Sequence, residues 1–179
     1  MGDVYASVIC TSVLQLKEIP PRPTEFDGAL ALFNLAEWVD EGKLRLATLL
    51  DKVALQQKPV RGDGHCQFRA VADQVLGSEH RYAEVRQAAG VQLEANPQAY
   101  SGFVMGDYRE YVLGMAGKEW GDNVTLQAIS DALMAQFLLV TDYQEEALVS
   151  VTPATGPPQG TFCLCFHAEV HYNLSLIHI

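Results

Sequence analysis

Over the first three quarters of the chain, hydrophobic positions recur at helical spacing. From Asp27 onward, Leu30, Phe33, Leu35, Trp38 and Val39 fall roughly on one stripe that ends near Gly42, and Leu46, Leu49, Leu50 and Val53 form a second that leads to Pro59. Phe68, Val71, Ala72, Val75 and Leu76 then follow i, i+3, i+4, i+7, i+8, the signature of a helix with one face turned inward. Gly77 is expected to close that helix and Ser78 to cap the next, which runs to the Asn96-Pro97 stop. Tyr108, Tyr111, Val112 and Met115 mark another helix. Asp122 stands as the N-cap of a last one, with Leu126, Ile129, Leu133 and Met134 on its inward stripe.

The last quarter changes period. FLLVT, ALVSVT and GTFCLCFHAEVHYN are short, β-prone runs separated by DYQEE and PATGPPQ, which predicts three or four strands. Helices first and strands last, without βαβ alternation, point to an α+β or mixed three-layer domain. The prolines of IPPRP, residues 19 to 23, fix an extended spacer, so what precedes it reads as an appendage.

Within this pattern the stretch GDGHCQFRA, residues 62 to 70, stands out. Cys66 falls at or just before a helix N-terminus, where the macrodipole and free backbone N–H groups favour a thiolate. Gly62 and Gly64 allow a sharp turn that aims such groups at a substrate carbonyl as an oxyanion hole. The alternative reading is a buried, inert cysteine filling the core.

A nucleophilic cysteine needs a base, and the adjacent His65 is poorly placed because neighbouring side chains diverge. His65 is expected to face solvent or to lie at the rim. His171 and Asn173, in HYN near the chain end, are better candidates: two apart on a strand, they share a face at about 6 to 7 Å between Cα atoms. The Asn173 amide can then fix the His171 tautomer while the other ring nitrogen faces the thiol. A zinc site on His167 and His171 is disfavoured, since four residues on one strand span roughly 13 Å. Cys163 and Cys165 form a C-x-C without a partner pair and read as small apolar fillers of a strand face. No metal site and no cofactor is expected.

Composition narrows the partners. With 179 residues, 49% of them hydrophobic, the chain suffices for one domain with a sizeable core. A formal net charge of −10 repels nucleic acid and anionic membrane at long range, and neither is expected as a partner. Four cysteines, irregularly spaced, are too few for a disulfide framework and suit a cytoplasmic or nuclear setting. The opening MGDVYASVICTSVLQLKEIPPRP lacks a basic n-region and an unbroken apolar run, so it is a poor signal peptide or membrane span.

GDGHCQFRAVADQVLGS resembles the nucleophile segment of the ovarian-tumour (OTU) family of cysteine deubiquitinases, with its pattern Asp-Gly-x-Cys-x-Phe-x-Ala. LRLATLLDKVALQQKPV, YVLGMAGKEWGDNVTLQAISDAL and FHAEVHYN agree with the same family in order. The resemblance implies an OTU-type, papain-like α+β fold, with a central mixed or antiparallel sheet from the C-terminal strands packed between helices. It implies a catalytic domain over 44–173, preceded by an appendage over 1–26 and an accessory helix over 27–43. It further implies Cys66 as nucleophile, His171 as general base and acid, Asn173 as its orienting group and Asp63 as shaper of the oxyanion loop. Gly64, His65, Trp120 and Gly121 form the implied oxyanion and substrate-contact set. The implied activity is hydrolysis of the isopeptide bond after ubiquitin's C-terminal glycine. Ubiquitin, polyubiquitin chains and ubiquitinated proteins are the implied partners of a chain expected to be monomeric.

Two other functions remain open: an inactive ubiquitin-binding module on the same fold, and a thiol redox sensor at Cys66. The first is disfavoured by the presence of Cys66, His171 and Asn173 together, the second by the lack of a resolving cysteine nearby in sequence. The family continues with serine after His-Tyr-Asn, whereas Leu174 here begins LSLIHI. Those six residues are what CTG-TCT-CTT-ATA-CAC-ATC encodes, which resembles a transposase end used in sequencing adapters. The tail over 174–179 is therefore expected to be foreign to the natural sequence.

Overall fold

The computed structural model describes residues 42, 44–52, 55–143 and 147–167, and, for the backbone alone, 171–178. The expected appendage, and the accessory helix apart from Gly42, lie outside the described residues. Helix α1 covers 44–52 and buries Leu46 and Leu50, two of the positions its apolar stripe predicts. It is followed by α2 (Cys66–Leu76), α3 (Tyr82–Ala95), α4 (Pro97–Tyr100), α5 (Tyr108–Ala116) and α6 (Asn123–Leu133).

The strands are β1 (Leu55–Gln57), β2 (Ala135–Thr141), β3 (Leu148–Val151), β4 (Gly160–His167) and β5 (His171–His178). They form one sheet in the order β1-β5-β4-β2-β3. β2 and β4 run parallel, and the other pairings are antiparallel. The sheet is therefore mixed, as expected, and the four C-terminal strands supply nearly all of it. β1 is a correction to the sequence reading, which absorbed LQQ into the approach to Pro59. Three residues leave no alternation to detect, and only pairing with residues 176–178 of β5 makes them a strand.

Both faces of the sheet are covered. Phe137 and Leu139 of β2 and Leu164 of β4 join Phe68, Val71 and Ala72 of α2 and Leu126 and Ile129 of α6 in one core. On the other face, Val140 and Cys165 pack with Leu46 and Leu50 of α1. This explains why β2 reads as a near-continuous apolar run rather than an alternating one. A second core, Leu93, Tyr100, Val112, Met115, Val124 and Ala128, joins α3, α5 and α6.

Several helix ends follow the sequence. Gly77 adopts the left-handed conformation that terminates α2, with φ of 72°. Asp122 caps α6 by accepting the Thr125 N–H at 2.8 Å, and Thr125 Oγ1 accepts the Asp122 N–H in return. Others differ. Ser78 precedes a 3-10 turn, Glu79–Arg81, and makes no side-chain cap; α3 begins only at Tyr82. Pro97 ends α3 and also opens the short α4, because its fixed φ and missing N–H suit a first helical position. Met134 is not part of the α6 stripe; with φ of 49° it is the left-handed residue that turns the chain from α6 into β2.

Candidate active site

Residues 61–65 form the loop that delivers the chain to α2, and Cys66 is the first helical residue, with His65 at the N-cap position. Cys66 is 3% exposed and belongs to the main core cluster, so its helix end is enclosed on one side. Gly64 carries the turn: its φ of 84° is left-handed, and an added Cβ would lie 3.3 Å from the Lys118 carbonyl. Gly62, given the same role in the sequence reading, is not among the positive-φ residues.

Asp63 braces this loop. Its carboxylate accepts Arg69 Nη2 at 2.6 Å and Arg69 Nε at 3.2 Å, and Oδ1 also accepts the His65 N–H at 3.2 Å. The Arg69 hydrogen bond, aided by the His65 amide and opposed by partial burial, holds the Asp63 pKa down to about 2. Arg69 is itself buried, lies 4.1 Å over the Tyr82 ring and donates to the Glu79 carbonyl. The loop is thus tied to the first turns of both α2 and α3.

Of the two expected positions for His65, the fully solvent-facing one does not hold. The residue is half-buried, its ring stacked on Tyr82 at 4.7 Å between centroids, because α3 starts directly over the loop. Among the described residues its Nδ1 has no hydrogen-bond partner. Burial, reinforced by the Arg86 charge, lowers its pKa and keeps the ring neutral at neutral pH.

The turn 120–122 packs against the same loop. The Trp120 indole nitrogen lies 3.9 Å from where a Gly64 Cβ would sit, while the residue as a whole is 54% exposed. Gly121 leaves room for Gln67: a Cβ there would collide with the Gln67 carboxamide. Gln67 is fully buried and donates to the Asp122 carbonyl at 2.9 Å, joining α2 to the cap of α6. Asp63, Gly64, His65, Cys66, Trp120 and Gly121 are therefore gathered at one end of α2.

His171 and Asn173 stand on β5, against which α2 packs. In the β4–β5 register His171 is opposite His167 and Asn173 is opposite Cys165. His167 and His171 thus occupy two antiparallel strands, and the single-strand distance invoked against a metal site does not apply. His167 is instead held between Asp142 Oδ2 at 3.4 Å and the Gln57 amide at 3.2 Å. Cys163 and Cys165 lie on the α1 side of the sheet, and burial raises both thiol pKa values, that of Cys165 to about 12.

Sequence reasoning missed Arg69, Arg86 and Gln67, the buried polar residues around this loop. A signal was present: Gln67 and Arg69 interrupt CQFRAVA, whose other members are all small or apolar.

Residues 61–174 match the model of the family described as OTU-like cysteine protease. The ovarian tumor domain-containing deubiquitinating enzyme 10 of Arabidopsis thaliana is 38% identical over 130 residues, which are 72% of this chain and 36% of that enzyme. The chain spans between 36% and 59% of the length of four such Arabidopsis relatives. Among solved structures, the OTU domain of OTUD1 superposes with a TM-score of 0.67 at 19% identity, over 79% of this chain and 98% of that one. An OTU domain in complex with ubiquitin gives 0.54 at 16% identity, over 69% and 74%. These superpositions bear out the expected α+β fold. With the Cys66 loop, helices α2 to α6 and strands β2, β3 and β4 all inside the matched segment, the chain belongs to the OTU-like cysteine protease family.

Proposed function

We propose that this chain is a cysteine-dependent deubiquitinase that cleaves the isopeptide bond after the C-terminal glycine of ubiquitin through a thioester acyl-enzyme. One observation carries the reading: Cys66 opens α2 on a braced, left-handed glycine loop, and α2 packs on the strand bearing His171 and Asn173. In this reading the Cys66 thiolate attacks the glycyl carbonyl, and backbone amides of the loop hold the oxyanion. His171, oriented by Asn173, protonates the departing lysine amine and then activates the water that releases ubiquitin. Asp63 serves by bracing the loop, and Trp120 and Gly121 by supporting it from the α5–α6 side.

Support comes from the name of the Arabidopsis relative, a deubiquitinating enzyme, and from the ubiquitin complex of an OTU domain. Ubiquitin and ubiquitin chains are the proposed partners of a monomer working in the cytoplasm or nucleus; no described helix is long and apolar enough to cross a membrane. The acidic balance, 22 carboxylates against 12 lysines and arginines, suits the arginine-bearing tail of ubiquitin. Incubation with ubiquitin carrying a thiol-reactive C-terminal group tests the proposal. An adduct lost in Cys66→Ala supports it; binding without adduct replaces it with the inactive module.

A further inference from the structure

The peptide unit joining Gly64 to His65 is held at both ends. Its N–H donates to Asp63 Oδ1 at 3.2 Å, and its carbonyl accepts Arg86 Nη2 at 3.3 Å. Because a peptide unit is planar, anchoring both dipole ends fixes the plane and restrains the amides on either side, those of Gly64 and Cys66. The His65 N–H itself is committed to Asp63.

Arg86 reaches the loop from the middle of α3. It is 7% exposed, and its guanidinium lies 4.0 Å over the Phe68 ring. Nη1 donates to the Met115 carbonyl at 2.7 Å, and Nη2 also donates to the Glu119 carbonyl at 2.8 Å. Among the described residues all its acceptors are backbone carbonyls, and its Nε has none. A buried cation without a carboxylate partner is costly to keep. Its field, weakly screened at that depth, acts on any anion that forms at the loop in front of it.

We propose that Arg86 is a positioning residue for the acyl transfer, the inner jaw of a clamp whose outer jaw is Asp63 held by Arg69. The clamp keeps the 64–65 peptide in one plane so that the Gly64 and Cys66 amides meet the glycyl oxyanion, and the Arg86 charge favours that anion. The inference rests on the deubiquitinase reading.

Hydrolysis of ubiquitin linked at its C-terminus to a fluorogenic amine tests it, with the full chain as wild type, Arg86→Gln, Arg86→Lys and Asp63→Asn. Arg86→Gln should lower kcat by about 100-fold with KM within about threefold, the lower end of the effect seen when an oxyanion donor is lost. Arg86→Lys should recover less than about a tenth of the activity, because one ammonium cannot span three carbonyls. Ubiquitin binding to the Cys66→Ala chain should stay within about threefold when Arg86→Gln is added, which a merely structural role would not preserve. A folded Arg86→Gln or Arg86→Lys chain with kcat near wild type, or with its loss in KM, overturns the clamp. Should neither Arg86 variant melt cooperatively, Asp63→Asn decides from the exposed side of the loop: a loss of about tenfold or more confined to kcat supports the clamp, and an unchanged kcat overturns it. A wild-type chain that hydrolyses nothing overturns the deubiquitinase reading itself, an outcome distinct from active variants beside an active wild type.

Discussion

Gly64→Ala is the substitution whose consequences the structure defines best. The residue sits at φ 84°, where an L side chain costs roughly 1 to 2 kcal/mol. The new Cβ would also lie 3.3 Å from the Lys118 carbonyl, a backbone atom that gives way only if the 118–121 turn shifts. If the loop keeps its conformation, the strain lowers stability by about 1 to 2 kcal/mol, which for a chain of this size moves Tm down by about 2 to 8 °C. If the loop relaxes instead, Gly64 leaves the left-handed region, its own amide turns away from the site, and kcat falls about 100-fold with stability nearly retained. Calorimetry beside fluorogenic ubiquitin hydrolysis separates the two, and each departs from wild type in one measurement at least. Gly62→Ala is the control, expected within about 0.5 kcal/mol of wild type because that residue is not in the left-handed region. A Gly64→Ala chain unchanged in both Tm and kcat would refute the reasoning.

The choice of base predicts that His171→Ala lowers kcat by about 1,000-fold or more, whereas His65→Ala leaves activity within about tenfold; the reverse result in the same assay would make His65 the base. Asp63, with its pKa held near 2 against an ordinary 3.8, contributes loop stability that is fully present above pH 3.8 and is lost as pH falls through about 2. The acid limb of kcat/KM should therefore not belong to Asp63, and NMR titration of its carboxyl carbon should show no protonation at pH 4 or above. Iodoacetamide at neutral pH, read by peptide mass spectrometry, should leave native Cys163 and Cys165 unmodified, since burial keeps both protonated, while Cys66 reacts. Labelling of Cys165 ahead of Cys66 would contradict that ordering.

How much of the site was legible depended on whether its signal was local. A glycine-rich loop before an i, i+3, i+4 stripe announces a cysteine at a helix start without any knowledge of the fold, and α2 indeed begins at Cys66. The capping role of Asp122 was readable for the same reason. The stacking of His65 was not legible because its surroundings come from Tyr82, on a different helix. The distance argument about His167 failed because His167 stands on β4 and His171 on the antiparallel β5, and an unbroken β-prone run shows no such division.

The sequence by itself determined the longer helices and the C-terminal strands of the described chain, their order, and the identity of the residues proposed for chemistry, because periodicity, caps and motif spacing are local properties, whereas β1 and the short α4 escaped it. Only the tertiary structure decided what holds the loop before Cys66 in place. Arg69, Arg86, Gln67 and Gly121 lie on two helices and a turn, and the contacts they make do not show in any one segment. Their burial around one peptide plane is set by how α2, α3 and the 118–122 turn pack, a long-range property for which no single segment carries a code.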